Sequence, residues 1–371
     1  MPTMLPAPPK SLGRLGDVLI SALQAVRGET NALGLSSKRS LCIILVDGLG
    51  THNLSKAAGH ARFLNSQKSL TASCWFPATT SVSITSFATA KHPVDIGFIG
   101  YQVFDRSVGE PQNLLSGWKD FAAGQTFQDQ PTVSEMAFES GVAFYAVAPS
   151  SYEFSGFTGA TMRKATYQAE NSVAERFRVA RKLLLDAEPK VIYLYIPELD
   201  QIAHALGSES TAWLNQLEEI DSLTSELARQ LPKHAGLVLT ADHGVIDIKP
   251  EAHIYLDELL PLDQVEFVGG DTRAPFIYLK RSADVIEVRK ILEDAYGSLA
   301  FVVSPEDLIT AGYWVHAEKS VGTYPDLVLI ARKEVAFYHK AFAKKKSLEM
   351  VGHHGALTSQ EMSIPIITFG F

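Results

Sequence analysis

The sequence predicts an α/β fold: a doubly wound, mostly parallel central sheet with helices on both faces, plus a small α/β cap insertion. Three observations predict it. Apolar runs at 41–46, 142–147, 191–196 and 237–240 are close to continuous, the pattern of strands covered on both faces. Segments of helical spacing separate them, and strand–helix alternation builds parallel sheets. Three of the runs stop at segments bearing Asp47, Asp200 and Asp242, and the C-terminal ends of parallel strands are where open α/β sheets place ligands.

The elements follow in order. Residues 1–10 are proline-rich, without a basic segment followed by an apolar run, so no secretory signal is expected. A helix is expected from residue 11 or 12 to 27. The 41–46 run ends abruptly at Asp47-Gly48-Leu49-Gly50. A strand at 70–75 leads into Phe76-Pro77-Ala78-Thr79-Thr80-Ser81, and the small residues of 82–90 begin a helix. A hydroxyl there sits beside free helix N–H groups and the positive end of the helix dipole; read alone, the cluster is a helix cap.

Residues 131–140 read as helix before the 142–147 strand. Val173, Phe177, Ala180 and Leu184 form one apolar stripe among charges, an amphipathic helix. Pro189 ends it. The 191–196 strand runs into an acid-bearing loop, Pro197 to Asp200, with His204 four residues beyond. A helix carrying Trp213, Leu217, Ile220, Leu223 and Leu227 leads to the 237–240 strand and to Ala241-Asp242-His243-Gly244.

Residues 251–345 break this rhythm: a strand pair around Gly269-Gly270-Asp271, a helix at 283–296, a strand at 301–303, a helix at 305–311 and a strand at 326–331. The expected division is a core of 1–250 and 346–371 with 251–345 as cap. Lys344-Lys345-Lys346 reads as a solvated turn. Val351-Gly352-His353-His354-Gly355 and a last strand at 364–371 close the chain.

A length of 371 residues fits one large α/β domain with an insertion, or two domains. A net charge of −8 argues against nucleic acid polymers as partners, and no run approaches the roughly 18 apolar residues of a membrane span. Cys42 and Cys74 read as reduced thiols of a cytoplasmic protein. The oligomeric state stays open.

The polar residues at strand ends form a set: Asp47, Thr80, Asp200, His204, Asp242, His243 and one of His353 or His354. Three Asp and three His, without thiolate, suit two divalent ions, with zinc, manganese or iron as candidates. Two such ions carry about +4 against about −3 from the carboxylates, leaving about +1 for a phosphoryl oxygen. Threonine is a weak nucleophile that metal coordination can activate. Taken singly, each residue reads as a cap or core partner.

The order Asp47-Gly48, Phe76-Pro77-x-x-Thr80, Asp200-x-x-x-His204, Asp242-His243-Gly244 and Gly352-x-His354-Gly355 resembles the alkaline phosphatase superfamily, specifically its nucleotide pyrophosphatase/phosphodiesterase branch. The resemblance spans about residues 41–358. It implies a two-metal phosphodiesterase or nucleotide pyrophosphatase with Thr80 as the transiently phosphorylated nucleophile. One metal, most simply zinc, is implied at Asp47, Thr80, Asp242 and His243, and the other at Asp200, His204 and His354. The pattern departs at Ile96, where related chains carry histidine, and at Tyr101, where many carry an asparagine that donates to the phosphoryl oxygen. Tyr101 is therefore a substrate-binding candidate. Phosphomonoester or phosphonate hydrolysis and a silent nucleotide-binding relative are the alternatives. Arg273 reads first as a surface ion-pair partner and second as a ligand for another phosphate or carboxylate; Trp314 and Tyr152 read as packing residues, or as stacking partners for a base.

Overall fold

A computed structural model describes residues 5–8 and 13–371. Seven strands form the central sheet: β1 Ser40–Val46, β2 Ser69–Ser73, β3 Ala143–Ala148, β4 Thr166–Ala169, β5 Lys190–Ile196, β6 Ala235–Thr240 and β7 Ser363–Phe369. Their spatial order is β2-β7-β6-β1-β5-β3-β4. Strands β4, β3, β5, β1 and β6 run parallel, whereas β7 is antiparallel to both β6 and β2. Every residue of β1 and β6 is buried. Successive side chains point to opposite faces, so both faces of the sheet are covered.

The order places the three Asp-bearing strand ends side by side. Strand β1 lies between β5 and β6, with Val46 opposite Ile196 and Leu45 opposite Thr240. Asp47, Asp200 and Asp242 therefore emerge at one edge of the sheet.

Helix α1 spans Gly16–Val26; its expected start at residue 11 or 12 lies outside the described residues. Helix α2, Thr80–Thr89, is buried along its whole length. Small hydroxylic residues make that possible. Thr85 and Thr89 return their hydroxyls to the carbonyls of Ser81 and Thr85, and Ser81 donates to Gly100. A Cβ on Gly16 would lie 2.7 Å from Ser86 Oγ, so α1 packs on α2 at a separation that a larger residue would obstruct.

Helix α3 is Val173–Leu184, with Val173, Phe177, Ala180 and Leu184 buried as the spacing required. The segment 197–200, expected as an acid-bearing loop, instead opens helix α4 (Glu198–Leu206), so Asp200 and His204 share one helical face. Helix α5 is Thr211–Arg229, capped by the Ser210 hydroxyl on the Trp213 N–H.

A second, four-stranded antiparallel sheet is built from Val265–Asp271, Ala274–Leu279, Leu327–Ala331 and Ala300–Val303. Its apolar cluster also takes in Phe76, Phe98, Val103 and Leu114, so it packs against the segment that follows β2. Among the described residues no helix is long and apolar enough to cross a membrane. Both cysteines are buried and unbridged.

Arg273 corrects the surface ion-pair reading. It is fully buried, and its guanidinium makes a bidentate pair with Glu361, Nε to Oε1 at 3.2 Å and Nη2 to Oε2 at 2.9 Å. It also donates to the carbonyls of Lys333 and Val335. Glu361 in turn accepts from the Ala356 N–H and the Thr358 hydroxyl. The pair ties the tip of the second sheet to the loop that follows His354. Removing one partner leaves the other charged and buried, so Arg273→Ala is expected to cost about 3–5 kcal/mol in chemical denaturation; a loss under about 1 kcal/mol would contradict that role.

Candidate active site

Glycine lets the strand-end loops converge. Gly48 has φ +75°, and a Cβ there would lie 3.1 Å from Asp200 Oδ1. A Cβ on Gly244 would lie 2.0 Å from the Gln360 carbonyl oxygen. Asn53 then holds the second loop to the first, donating to the Val245 carbonyl at 2.8 Å and accepting its N–H at 3.1 Å.

The polar side chains meet at this edge. His243 Nε2 lies 3.2 Å from Thr80 Oγ1 and 3.4 Å from both Asp47 Oδ1 and Asp242 Oδ2. His204 Nε2 lies 3.1 Å from Asp200 Oδ2. The His243 and His354 rings stack with centroids 3.8 Å apart, and His204 lies 5.1 Å from His354. Two groups, Asp47–Asp242–His243 and Asp200–His243–His354, have ligand atoms within 4.8 Å of one another. His204 falls outside both, reaching the second group through Asp200.

Two features suit these groups to cations. One oxygen on each carboxylate (Asp47 Oδ1, Asp200 Oδ1, Asp242 Oδ2) is buried without a hydrogen-bond donor, an arrangement that is costly unless a charge partner completes it. Each histidine also has Nδ1 against a backbone carbonyl: His204 on Gly352 and His354 on Ala78, both at 2.8 Å, and His243 on Gly244 at 3.3 Å. Protonation of Nδ1 in those bonds leaves the Nε2 lone pair facing the cluster, the usual arrangement around a metal. His353 differs, with Nδ1 on the Thr272 hydroxyl and Nε2 on the Met350 carbonyl; of the two adjacent histidines, His354 joins the cluster.

The electrostatics follow from crowding. Burial, reinforced by Asp242 and Asp200, pushes Asp47 well above the usual carboxylate range, and burial also raises Asp242. Burial would raise Asp200 too, but His204 holds it below that range. Burial opposes charge on His204, yet Asp200 holds it up at about 9. Burial, with His243 alongside, keeps His354 well below the ordinary imidazole value.

Thr80 is the first residue of α2. The Thr79 hydroxyl does not cap that helix; it donates to Asp271 Oδ1 at 3.1 Å. The first N–H groups of α2 thus lack a side-chain acceptor beside the Thr80 hydroxyl, an arrangement suited to an anion. A cavity of about 650 Å³ opens over this site, walled in part by Tyr101, Tyr152, Asp271 and His354. Lys344 and Lys346, read as a solvated turn, are exposed on its rim. Trp314 is buried against Phe76 and Tyr324 and does not reach the cavity.

Two neighbours of the site escaped the sequence reading. Tyr195, on β5, donates its phenol to Asp47 Oδ2; the alternation of Tyr193 and Tyr195 within an apolar strand was the available signal. Asn113 lies on the cavity wall, its Oδ1 fixed by the N–H groups of Leu115 and Ser116. It is paired with Gln102, the residue after Tyr101, across a short hairpin, a proximity that spacing alone does not reveal.

The fold and the clustered Asp and His side chains are those expected of the alkaline phosphatase superfamily. The model of the type I phosphodiesterase / nucleotide pyrophosphatase family matches residues 41–357. The chain belongs to that family. An uncharacterized pyrophosphatase/phosphodiesterase of Schizosaccharomyces pombe is 28% identical over 82 residues, 21% of this chain; the chain covers 17% of that protein. Among solved structures, an inactive threonine-to-alanine variant of murine ectonucleotide pyrophosphatase/phosphodiesterase 5, in complex with AMP, is similar at TM-score 0.69 and 16% identity, covering 89% of this chain and 87% of that one. Phosphonoacetate hydrolase from Sinorhizobium meliloti, in complex with phosphonoformate, is similar at TM-score 0.69 and 20% identity, covering 89% and 90%.

Proposed function

We propose that the chain is a two-metal phosphodiesterase or nucleotide pyrophosphatase acting through a phospho-threonine intermediate on small phosphoesters in the cytoplasm. The observation that carries this reading is the Thr80 hydroxyl, 3.2 Å from His243, beside three carboxylates that each present an unpartnered buried oxygen. Asp47, Thr80, Asp242 and His243 would hold one ion and Asp200, His204 and His354 the other, with zinc the first candidate. The ions would supply positive charge for ionising the threonine and for the oxygens around phosphorus.

The chain's own groups do the rest. Thr80 Oγ, its proton passed to solvent, attacks phosphorus in line, the bond from phosphorus to the leaving oxygen breaks, and that oxygen departs with the electron pair and takes up a proton from solvent. The α2 N–H groups donate to the phosphoryl oxygens and stabilise the charge that develops there. Water then attacks the phospho-threonine from the vacated side and returns the hydroxyl. Tyr101 and the Asn113 amide are the candidate substrate donors, and 251–345 acts as a cap over the cavity. The murine relative supports a threonine role, since its inactive form carries a threonine-to-alanine change. The phosphonate-bound bacterial relative keeps phosphonate hydrolysis as the second reading.

The test is a matched panel on zinc- and manganese-reconstituted protein. A p-nitrophenyl nucleotide ester should be turned over faster than p-nitrophenyl phosphate or phosphonoacetate; faster release from either of the latter reverses the ranking. Metal uptake should also depend on pH. In the metal-free protein His204, held at about 9 by Asp200, carries a proton at neutral pH, and a metal ligand must lose it. Affinity should rise with pH up to about 9, roughly tenfold per unit for each proton released. Calorimetry in buffers of different ionisation enthalpy measures this; uptake at pH 7.5 without proton release would contradict the His204 assignment.

A further inference from the structure

Thr79 occupies the N-cap of α2 with an extended backbone, φ −142° and ψ 150°. From that conformation a threonine hydroxyl ordinarily accepts an N–H of the first helical turn. Ser172 and Ser210, at the same place on α3 and α5, do accept one, from Glu175 and Trp213. The Thr79 hydroxyl instead donates to Asp271 Oδ1 at 3.1 Å. Thr79 is buried, and a buried hydroxyl takes a partner within reach. Two are available here: the Asp271 carboxyl, and the N–H groups of Ser81 and Val82 in the first turn.

Asp271 reaches Thr79 from the second sheet. It ends the strand Val265–Asp271, opposite Ala274 across the hairpin. The two residues that follow pin this tip. The Thr272 hydroxyl lies 2.8 Å from His353 Nδ1, and its carbonyl accepts the Phe337 N–H; Arg273 pairs with Glu361. The hairpin therefore places the carboxyl, and the Thr79 hydroxyl turns to meet it. That placement is costly. Asp271 Oδ2 is buried without a donor, and burial pushes the carboxyl up to about 7 although the Thr79 bond pulls it down. It also puts negative charge on the wall of the cavity over Thr80, where it repels a phosphoryl anion. Neither ion pairing nor attraction of substrate accounts for a carboxyl there.

We propose that Asp271 is a positioning residue of the phosphoryl site: by holding the Thr79 hydroxyl it keeps that hydroxyl from capping α2, and so leaves the N–H groups beside Thr80 to the substrate's phosphoryl oxygens. The assignment rests on the phosphoester reading and gives the second sheet a part in it. The hairpin that carries Asp271 keeps the anion-binding end of the nucleophile helix open.

The test is calorimetric titration of zinc-loaded protein with inorganic phosphate, alongside turnover of the p-nitrophenyl nucleotide ester. In Asp271→Ala the released hydroxyl should cap α2, and an anion must then displace it. Phosphate affinity and kcat/KM should both fall about fivefold, the worth of one N-cap. Asp271→Asn, which keeps a hydrogen-bond partner for Thr79, should match wild type closely, as should Thr79→Ala. The decisive variant combines Asp271→Ala with Thr79→Ala. With no hydroxyl left to cap the helix, it should bind phosphate as tightly as Thr79→Ala alone. Asp271→Val, equally without an acceptor but closer in volume, is run beside the alanine variant so that a fold lost to a cavity does not leave the question open. A crystal structure of the folded variant should show Thr79 Oγ1 on the Ser81 or Val82 N–H. A loss that persists in the double variant, an equal loss in Asp271→Asn, or phosphate affinity unmoved by any substitution at Asp271 would overturn the proposal. Phosphate binding needs no turnover, so the two claims separate. The predicted pattern of affinities without ester hydrolysis upholds the role of Asp271 and sinks the hydrolytic reading; hydrolysis with phosphate affinity blind to Asp271 sinks that role alone.

Discussion

Thr80→Ala is expected to lower kcat for a p-nitrophenyl nucleotide ester by about 10⁴-fold or more, the scale set by removing a catalytic nucleophile. The fold should survive, because Thr80 is a helix-start residue whose Cβ alanine retains, and α2 is held by the internal hydroxyls of Ser81, Thr85 and Thr89. Metal content should fall little, since six other side chains remain to hold the ions. Thr79→Ala provides the contrast. It removes only the hydrogen bond to Asp271 and should cost far less in turnover. Near wild-type hydrolysis by the Thr80 variant, measured at matched metal occupancy, would sink the nucleophile assignment.

Asp47→Asn is expected to abolish activity while making the metal-free protein more stable. Burial and the neighbouring Asp242 and Asp200 push the Asp47 carboxyl well above its usual range. A carboxyl whose folded value lies above its unfolded value costs stability once pH exceeds the unfolded value, near 4. At pH 7.5 the amide removes that cost. With metal present the order should invert. Wild type should gain about 4 kcal/mol when free metal exceeds Kd a thousandfold, a rise of several degrees in melting temperature, and the variant much less. Melting curves with chelator and with zinc measure both halves. A variant less stable than wild type in chelator, and equally stabilised by zinc, would contradict the reading of Asp47 as a carboxylate held for a cation.

These expectations trace unevenly to the sequence. Strands β1, β5 and β6 were legible because each is nearly uniformly apolar and each runs into an Asp. Their adjacency in the sheet was not, since spatial order depends on crossovers that leave no local pattern. Strand β4 escaped because it is an edge strand of Thr166–Ala169 without an apolar run. The direction of β7 was hidden too, as apolar runs read alike in either direction.

The site was legible where residue chemistry and strand ends coincide, as at Asp47, Asp242 and His243. It was less so at Asp200 and His204, where Pro197 and the acids suggested a loop; their i,i+4 spacing already fitted one helical face. Arg273 was misread because its partner Glu361 lies 88 residues away and both are buried, a contact only the tertiary fold creates. Tyr195 and Asn113 gained meaning only once the loops around them were placed.

The most direct test of the central claim is acid-quenched mass spectrometry of metal-loaded protein mixed with excess p-nitrophenyl nucleotide ester. The account predicts a nucleotidyl adduct on the peptide containing Thr80, formed within the first turnover and absent from Thr80→Ala. Full turnover with no adduct on that peptide, or an adduct on another residue, would contradict it.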